Sequence, residues 1–197
     1  MTADGTFRLM LIAAWMVLFP IGIYHRVKAH GSGEKLNRRL EGRFILYTLR
    51  PIGITVMIGL FTYMINPGAM AWSSLSLPAW LRWTGVGIGA IGGVLLVWTL
   101  RSLGPNLTDT VVTRRHHTLV MAGPYRFVRH PFYVAVGLLM LSNALVAANW
   151  FLLVGGVVVF TLLAIRVRIE EAQLHARFGG AYRAYVERTG RFIPGAR

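Results

Sequence analysis

The stretch Gly123-Pro-Tyr-Arg-Phe-Val-Arg-His-Pro-Phe-Tyr133 stands at the head of the longest apolar run in this chain. The stretch is cationic and aromatic, whereas the 34 residues from Phe132 to Ile165 carry no charged side chain. The segment before it, Arg101 to Ala122, is also polar. A chain built mainly of apolar segments has therefore gathered its reactive groups in one loop, and this loop is where we look for function.

The composition predicts a membrane protein. Of the 197 residues, 55% are hydrophobic and only 14% are charged, which is too little polar surface for a soluble fold. The formal charge of +14 lies beside apolar spans and not along one soluble face, which argues against a nucleic-acid partner. Cysteine is absent, which excludes disulfides and thiolate chemistry, and the histidines share no metal-ligand spacing, so no metal is assigned.

Five membrane helices are expected. Three apolar segments are long enough to span a bilayer: Leu9 to Tyr24, Phe44 to Asn66 and Trp80 to Leu100. The uncharged run from Phe132 is too long for one span and short for two, so we expect a tight hairpin that turns within Ser142 to Asn149. Its second helix continues into a polar tail, with Gly179-Gly180 as the expected stop.

Glycines recur every four residues in the third span, at Gly85, Gly89 and Gly93. This spacing predicts that all three lie on one helical face, where a neighbouring backbone approaches closely.

The distribution of positive charge predicts the orientation. Eighteen of the twenty-one Lys and Arg residues fall in the first loop, the central loop or the tail, whereas Arg8 and Arg82 lie near the other face. The positive-inside rule then places the N-terminus outside and both the central loop and the tail in the cytoplasm.

The residue types of the loop and tail suit a small ligand that combines several chemistries. Arg126, Arg129 and His130 offer donors for a carboxylate or phosphate, and tyrosines stack on an adenine or lie against a cation. Adjacent Glu170 and Glu171 point about 100° apart on a helix, so at most one easily faces a given pocket. A carboxylate of this kind binds ribose hydroxyls. The residues allow S-adenosylmethionine and also a nucleotide.

Several motifs together resemble the isoprenylcysteine carboxyl methyltransferases, a family of integral-membrane enzymes, and phospholipid N-methyltransferases are similar in the same region. The matching residues cover the C-terminal half, from Leu103 to Pro194. They are Leu119-Val120, Gly123-Pro-Tyr-Arg126, Arg129-His-Pro-Phe-Tyr133, Glu170-Glu171, Phe178-Gly179 and Tyr182-Arg-Ala-Tyr185.

The resemblance implies an all-α, multi-pass membrane enzyme that transfers a methyl group from S-adenosylmethionine to a lipophilic acceptor entering from the bilayer, with S-adenosylhomocysteine as product. In one membrane domain (1–197), three spans (1–102) would precede a cofactor loop (103–131), a helical hairpin (132–168) and a cytoplasmic tail (169–197). Arg129 and Glu171 would be catalytic. The cofactor site would comprise Leu119, Val120, Gly123, Tyr125, His130, Tyr133, Glu170 and Glu171.

Other interpretations stay open at this point. The acceptor is a prenylcysteine carboxylate, a phospholipid amine, a thiol or another lipophile; an amine would need a general base such as Asp109, His130 or a glutamate. A sterol-type reductase using NADPH and a non-catalytic membrane scaffold are the competing functions. Tyr182 and Tyr185 are interpreted mainly as anchors at the membrane interface. The sequence does not specify the roles of Arg50 and of Arg114 to His117, or the oligomeric state.

The orientation is testable because the chain lacks cysteine. We expect single cysteines at Ser32 and Ser74 to react with an impermeant thiol reagent from opposite sides of the membrane. Labelling of both positions from the same side would contradict the predicted topology.

Overall fold

The described residues fold into a bundle of five α-helices, which confirms the prediction of an all-α, multi-pass membrane protein. The computed structural model describes residues 3–30, 43–104 and 119–195. Its helices are α1 (Ala3–His30), α2 (Arg43–Ile65), α3 (Ala79–Leu103), α4 (Pro131–Ala147) and α5 (Trp150–Arg188). Helices α1, α2, α3 and α5 are long and apolar enough to cross a membrane, and α4 is a shorter apolar helix.

The hairpin between α4 and α5 turns where it was expected. Ala148 adopts a left-handed conformation with φ of 47°, which ends α4. Asn149 then starts α5, because its Oδ1 accepts a hydrogen bond from the Leu152 amide at 3.1 Å. Its Nδ2 donates to Ser73 Oγ at 2.7 Å and so ties the hairpin to the turn after α2.

Helix α3 packs tightly on α4 through glycines, but the predicted set is wrong in one member. Gly85, Gly89 and Gly92 face α4, and a Cβ at any of them would press on α4 atoms. Gly93 instead faces Leu18 of α1. The reason is that the helical repeat of 3.6 residues rotates a four-residue series off a straight face, so the third contact moves to the i+7 position.

Two arginines close the end of the bundle farthest from residues 123–130, which we call the motif loop. Arg82 is buried, pairs with Asp4, and donates from Nη2 to the Val146 carbonyl of α4 at 2.9 Å. Arg8 donates to the Met64 and Ile65 carbonyls of α2 at 2.8 Å each. Both arginines thereby satisfy carbonyl groups that helix ends leave unpaired.

Helix α5 breaks at Gly179, close to the predicted stop. Gly179 has φ of 52° and ψ of −121°, after which the chain continues as a short helical segment to Arg188. The positive φ favours glycine at this position. The break redirects the chain so that residues 189–192 return beside the motif loop.

Candidate functional site

The motif loop is a short 3-10 helix, Gly123–Arg126, followed by a turn that leads into α4. Gly123 has φ of 62°, a conformation that glycine adopts without strain, and the Ser102 and Trp98 side chains occupy the space next to it. Proline at the second position suits the start of such a helix. Gly123 therefore shapes the loop, and it is not in the wall of the cavity described below.

The C-terminal tail is held against this loop by backbone hydrogen bonds. The Arg129 amide donates to the Gly190 carbonyl at 2.9 Å, and the His130 amide donates to the Arg191 carbonyl at 3.1 Å. Val128 and Gly190 form a parallel bridge beside them. Two segments about sixty residues apart in sequence thus run side by side.

A buried cluster of charges joins loop, tail and α5. Glu171 Oε1 accepts a hydrogen bond from Arg129 Nε at 3.0 Å and lies 3.3 Å from His130 Nε2. Arg191 of the tail donates to the same carboxylate through Nη2 and Nε. The Glu171 side chain is only 11% exposed. One carboxylate is therefore shared among three cationic or titratable groups from two segments.

Arg129 uses the other edge of its guanidinium on the protein as well. Its Nη1 donates to the Val186 carbonyl at 3.3 Å and to the Thr189 carbonyl. Arginine suits this position because its planar fork reaches a carboxylate and backbone carbonyls together. These contacts link the loop, α5 and the tail. The catalytic role of Arg129 stays a prediction.

A cavity of about 600 Å³ lies beside the cluster and extends between the helices. All five helices contribute to its wall. The predicted site residues in the wall are Leu119, Val120, Tyr125, Arg129, His130, Tyr133 and Glu170. Glu171 is not among the wall residues, because its carboxylate turns into the charge cluster.

Glu170 therefore is the acidic group at the cavity. Its Oε2 accepts a hydrogen bond from the Tyr133 hydroxyl at 2.7 Å. The Tyr133 ring in turn stacks on His130, with centroids 5.6 Å apart and planes 7° apart. The expectation that adjacent glutamates face different ways is met, with Glu171 in the buried charge cluster and Glu170 at the cavity.

Tyrosines form the rest of this end of the cavity. The Tyr185 hydroxyl donates to the Tyr125 carbonyl at 2.6 Å. Burial, with smaller effects from Glu170 and Tyr185, raises the pKa of Tyr125 well above its usual value, so its phenol stays neutral. Tyr182 and Tyr185 are buried, being 1% and 6% exposed, and both line the cavity. Their interpretation mainly as interface anchors is therefore wrong, because the break at Gly179 turns this segment inward.

Several cavity residues were not predicted. Arg166 lies four residues before Glu170 and so on the same face of α5, a spacing that the sequence does contain. Arg26 of α1 lines the same end. Arg126, by contrast, is exposed, with its guanidinium 5.1 Å from the Phe127 ring centroid. Asp109 and Arg114 to His117 lie outside the described residues.

Comparison with known proteins supports the resemblance. Residues 85–176 match the family model of the isoprenylcysteine carboxyl methyltransferase family. The chain is 26% identical over 165 residues to a protein-S-isoprenylcysteine O-methyltransferase of Schizosaccharomyces pombe, covering 77% of this chain and 70% of that protein. It is 31% identical over 123 residues to protein-S-isoprenylcysteine O-methyltransferase B of Arabidopsis thaliana, covering 58% and 60%.

The fold agrees with a solved structure of this family. A eukaryotic intramembrane Ras methyltransferase, an isoprenylcysteine carboxyl methyltransferase, superposes with a TM-score of 0.60 at 20% identity, covering 96% of this chain and 68% of that one. The predicted resemblance is thus confirmed in sequence and in fold.

The charge cluster makes a prediction about stability. Glu171→Gln removes the negative charge that faces Arg129 and Arg191, and breaking a buried ion pair from one side costs about 3–5 kcal/mol. We expect a clear fall in thermal stability in detergent for Glu171→Gln. The control is Glu187→Gln, at an exposed position of the same helix. Equal melting temperatures for the two variants would contradict the structural role of Glu171.

Proposed function

We propose that this chain, a membrane methyltransferase of the isoprenylcysteine carboxyl methyltransferase family, methylates the carboxylate of an isoprenylcysteine-type acceptor with S-adenosylmethionine as donor. The observation that carries the proposal is one continuous cavity with two chemically different parts. One end is lined by Glu170, Arg166 and tyrosines, and the remainder is lined by aliphatic and aromatic side chains.

The polar end fits the donor. The Glu170 carboxylate suits the two ribose hydroxyls of an adenosine, and Tyr125, Tyr182 and Tyr185 provide aromatic surface for the adenine or the sulfonium. The donor's own carboxylate requires a cation, and Arg166 and Arg26 both line the cavity.

The apolar remainder fits a lipid chain. From Phe132 to Asn143 of α4 the apolar wall residues are Phe132, Val136, Leu139 and Met140, which face side chains of α1, α2 and α3. A prenyl chain placed here would leave its cysteine carboxylate toward the polar end. Donor and acceptor would then meet near Tyr133.

The reaction depends more on the alignment of donor and acceptor than on proton transfer. When bound, S-adenosylmethionine supplies a methyl group on a sulfonium, and the acceptor oxygen displaces the sulfur in line. The C–O bond forms as the C–S bond breaks, which yields the methyl ester and S-adenosylhomocysteine. A carboxylate acceptor is ionised at neutral pH and needs no base. The protein contributes mainly by holding the reacting groups in line and excluding water, an effect worth up to about 7–11 kcal/mol in well-aligned systems.

Residue roles follow from this arrangement. Glu170, Tyr125, Tyr133, Leu119 and Val120 would contact the donor. Arg129, His130 and Glu171 would hold the loop and α5 in register, with Gly123 setting the loop conformation. The motif loop and the tail lie together at one end of the bundle, and the positive-inside rule supports a cytoplasmic location for this end.

Transfer of labelled methyl from S-adenosylmethionine tests the function directly. Purified protein in nanodiscs is given N-acetyl-S-farnesylcysteine, phosphatidylethanolamine or a total lipid extract, and the labelled product is identified. We expect a methyl ester of the farnesylcysteine. Label on the phospholipid amine would instead identify a phospholipid as the acceptor. Binding of NADPH but not of S-adenosylhomocysteine would instead indicate a reductase.

Glu170 gives a second, residue-level prediction. Glu170→Gln keeps the shape of the side chain but removes a charge-assisted hydrogen bond worth about 1.5–3 kcal/mol, so S-adenosylhomocysteine should bind roughly ten- to hundredfold more weakly. Thermal stability without ligand should stay close to that of the parent, unlike that of Glu171→Gln. If Glu170→Gln binds S-adenosylhomocysteine as tightly as the Glu187→Gln control, Glu170 does not contact the donor.

A further inference from the structure

The apolar part of the cavity has a definite far end. We propose that Trp15 of α1 and Asn143 of α4 close it and thereby set the longest acceptor chain that the enzyme accepts. This inference rests on the proposed function, since it assigns the apolar part of the cavity to the acceptor. We call the part of the cavity between Tyr133 and Asn143 the chain arm.

The closing pair is a hydrogen bond between the two helices. Trp15 Nε1 donates to Asn143 Oδ1 at 3.1 Å, and both residues are in the cavity wall. Asn143 is buried, with 9% of its surface exposed. The Trp15 ring also packs edge-on against Phe61 of α2, with centroids 6.3 Å apart. A buried amide among apolar helices is costly unless it is bonded, so this contact holds α1 against α4 at a fixed level.

The space beyond the pair is filled. Leu11 and Phe7 continue the same stripe of α1 at four-residue steps, and they are 4% and 3% exposed. Both belong to the packed core, together with Met64, and neither lines the cavity. A chain that follows α1 from the polar end therefore meets the indole of Trp15 and then solid packing.

The position of the pair fixes the length of the arm. Ten residues separate Tyr133 from Asn143 on α4, which is about 15 Å of helix. Eleven residues separate Arg26 from Trp15 on α1, or about 16 Å, so the α1 and α4 walls have nearly the same length. The residues of α1 in the wall are Trp15, Leu18, Phe19, Gly22, Ile23 and Arg26, one continuous helical stripe.

Gly22 offers a way to shorten the arm. It lies in the wall about 10 Å from Trp15 along α1, and a Cβ built on it meets no atom within 4 Å. A leucine there adds side-chain volume at the cavity wall, and its Cβ has room. Gly87 of α3 is a matched control, because a Cβ at this exposed position also meets nothing and it is not in the cavity wall.

The experiment uses acceptors that differ only in chain length: N-acetylcysteine thioethers of geranyl, farnesyl and geranylgeranyl chains. Trp15→Ala should raise kcat/KM for the geranylgeranyl relative to the farnesyl compound at least about fivefold, since contacts of a few methylene groups are worth that discrimination. Gly22→Leu should shift preference at least about fivefold toward the geranyl compound. Gly87→Leu should leave the ratios unchanged, as should Trp72→Ala at an exposed tryptophan.

A binding measurement separates this inference from the proposed reaction. Thermal stabilisation of each variant by geraniol, farnesol and geranylgeraniol reports on the arm whether or not methyl transfer occurs. We expect the order of stabilisation to follow the same shifts. Where Trp15→Ala fails to fold, Trp15→Leu replaces it, and Gly22→Leu stands independently.

The outcomes are distinct. Shifted chain-length preference in transfer or in binding supports the closing pair. Unchanged ratios in stable Trp15 and Gly22 variants overturn it, even if the parent methylates farnesylcysteine. If methyl transfer is absent but prenol binding shifts, the proposed acceptor is wrong, while the chain arm is still a site for prenyl chains that Trp15 and Asn143 close.

Discussion

The arrangement of the site depends on the ion pairs and hydrogen bonds that the Glu171 carboxylate makes. Among the described residues there are only four acidic side chains, and this one lies inside the protein between Arg129, His130 and Arg191. A buried carboxylate is tolerable only when it is paired and hydrogen-bonded. Satisfying it draws the motif loop, α5 and the tail together. The same rotation of α5 that buries Glu171 presents Glu170 to the cavity.

Much of the architecture was predictable because membrane helices are recognised by the length of their apolar segments. The hairpin after Pro131 followed from the length of the uncharged run. The different directions of Glu170 and Glu171 followed from the angle between neighbouring helical residues. Periodicity gives the angle between Glu170 and Glu171 but not the absolute rotation of α5. Which of them faces the ligand is decided by cations elsewhere, and Arg191 lies in an irregular tail that no periodic pattern describes.

The remaining differences from the predictions arise from long-range contacts in two cases and from helical geometry in one. Tyr182 and Tyr185 looked like interface anchors because tyrosine near a span is usually that, and only the turn at Gly179 directs them inward. Gly93 left the α3–α4 contact because the helical repeat is not four residues. The bond between Trp15 and Asn143 joins positions 128 residues apart, and neither residue belongs to a motif.

The cavity wall combines residues from inside and outside the region that matches the family model. The polar end of the cavity is built mainly from the motif loop and α5, whereas α1, with Trp15 and Gly22, lies outside the matched residues 85–176. The different positions of Glu170 and Glu171 are tested most directly by a structure of the protein with S-adenosylhomocysteine. We predict a Glu170 oxygen within hydrogen-bond distance of the ribose, with Glu171 still bound to Arg129 and Arg191. A nucleoside held by Glu171, with Arg129 displaced from it, would contradict this assignment.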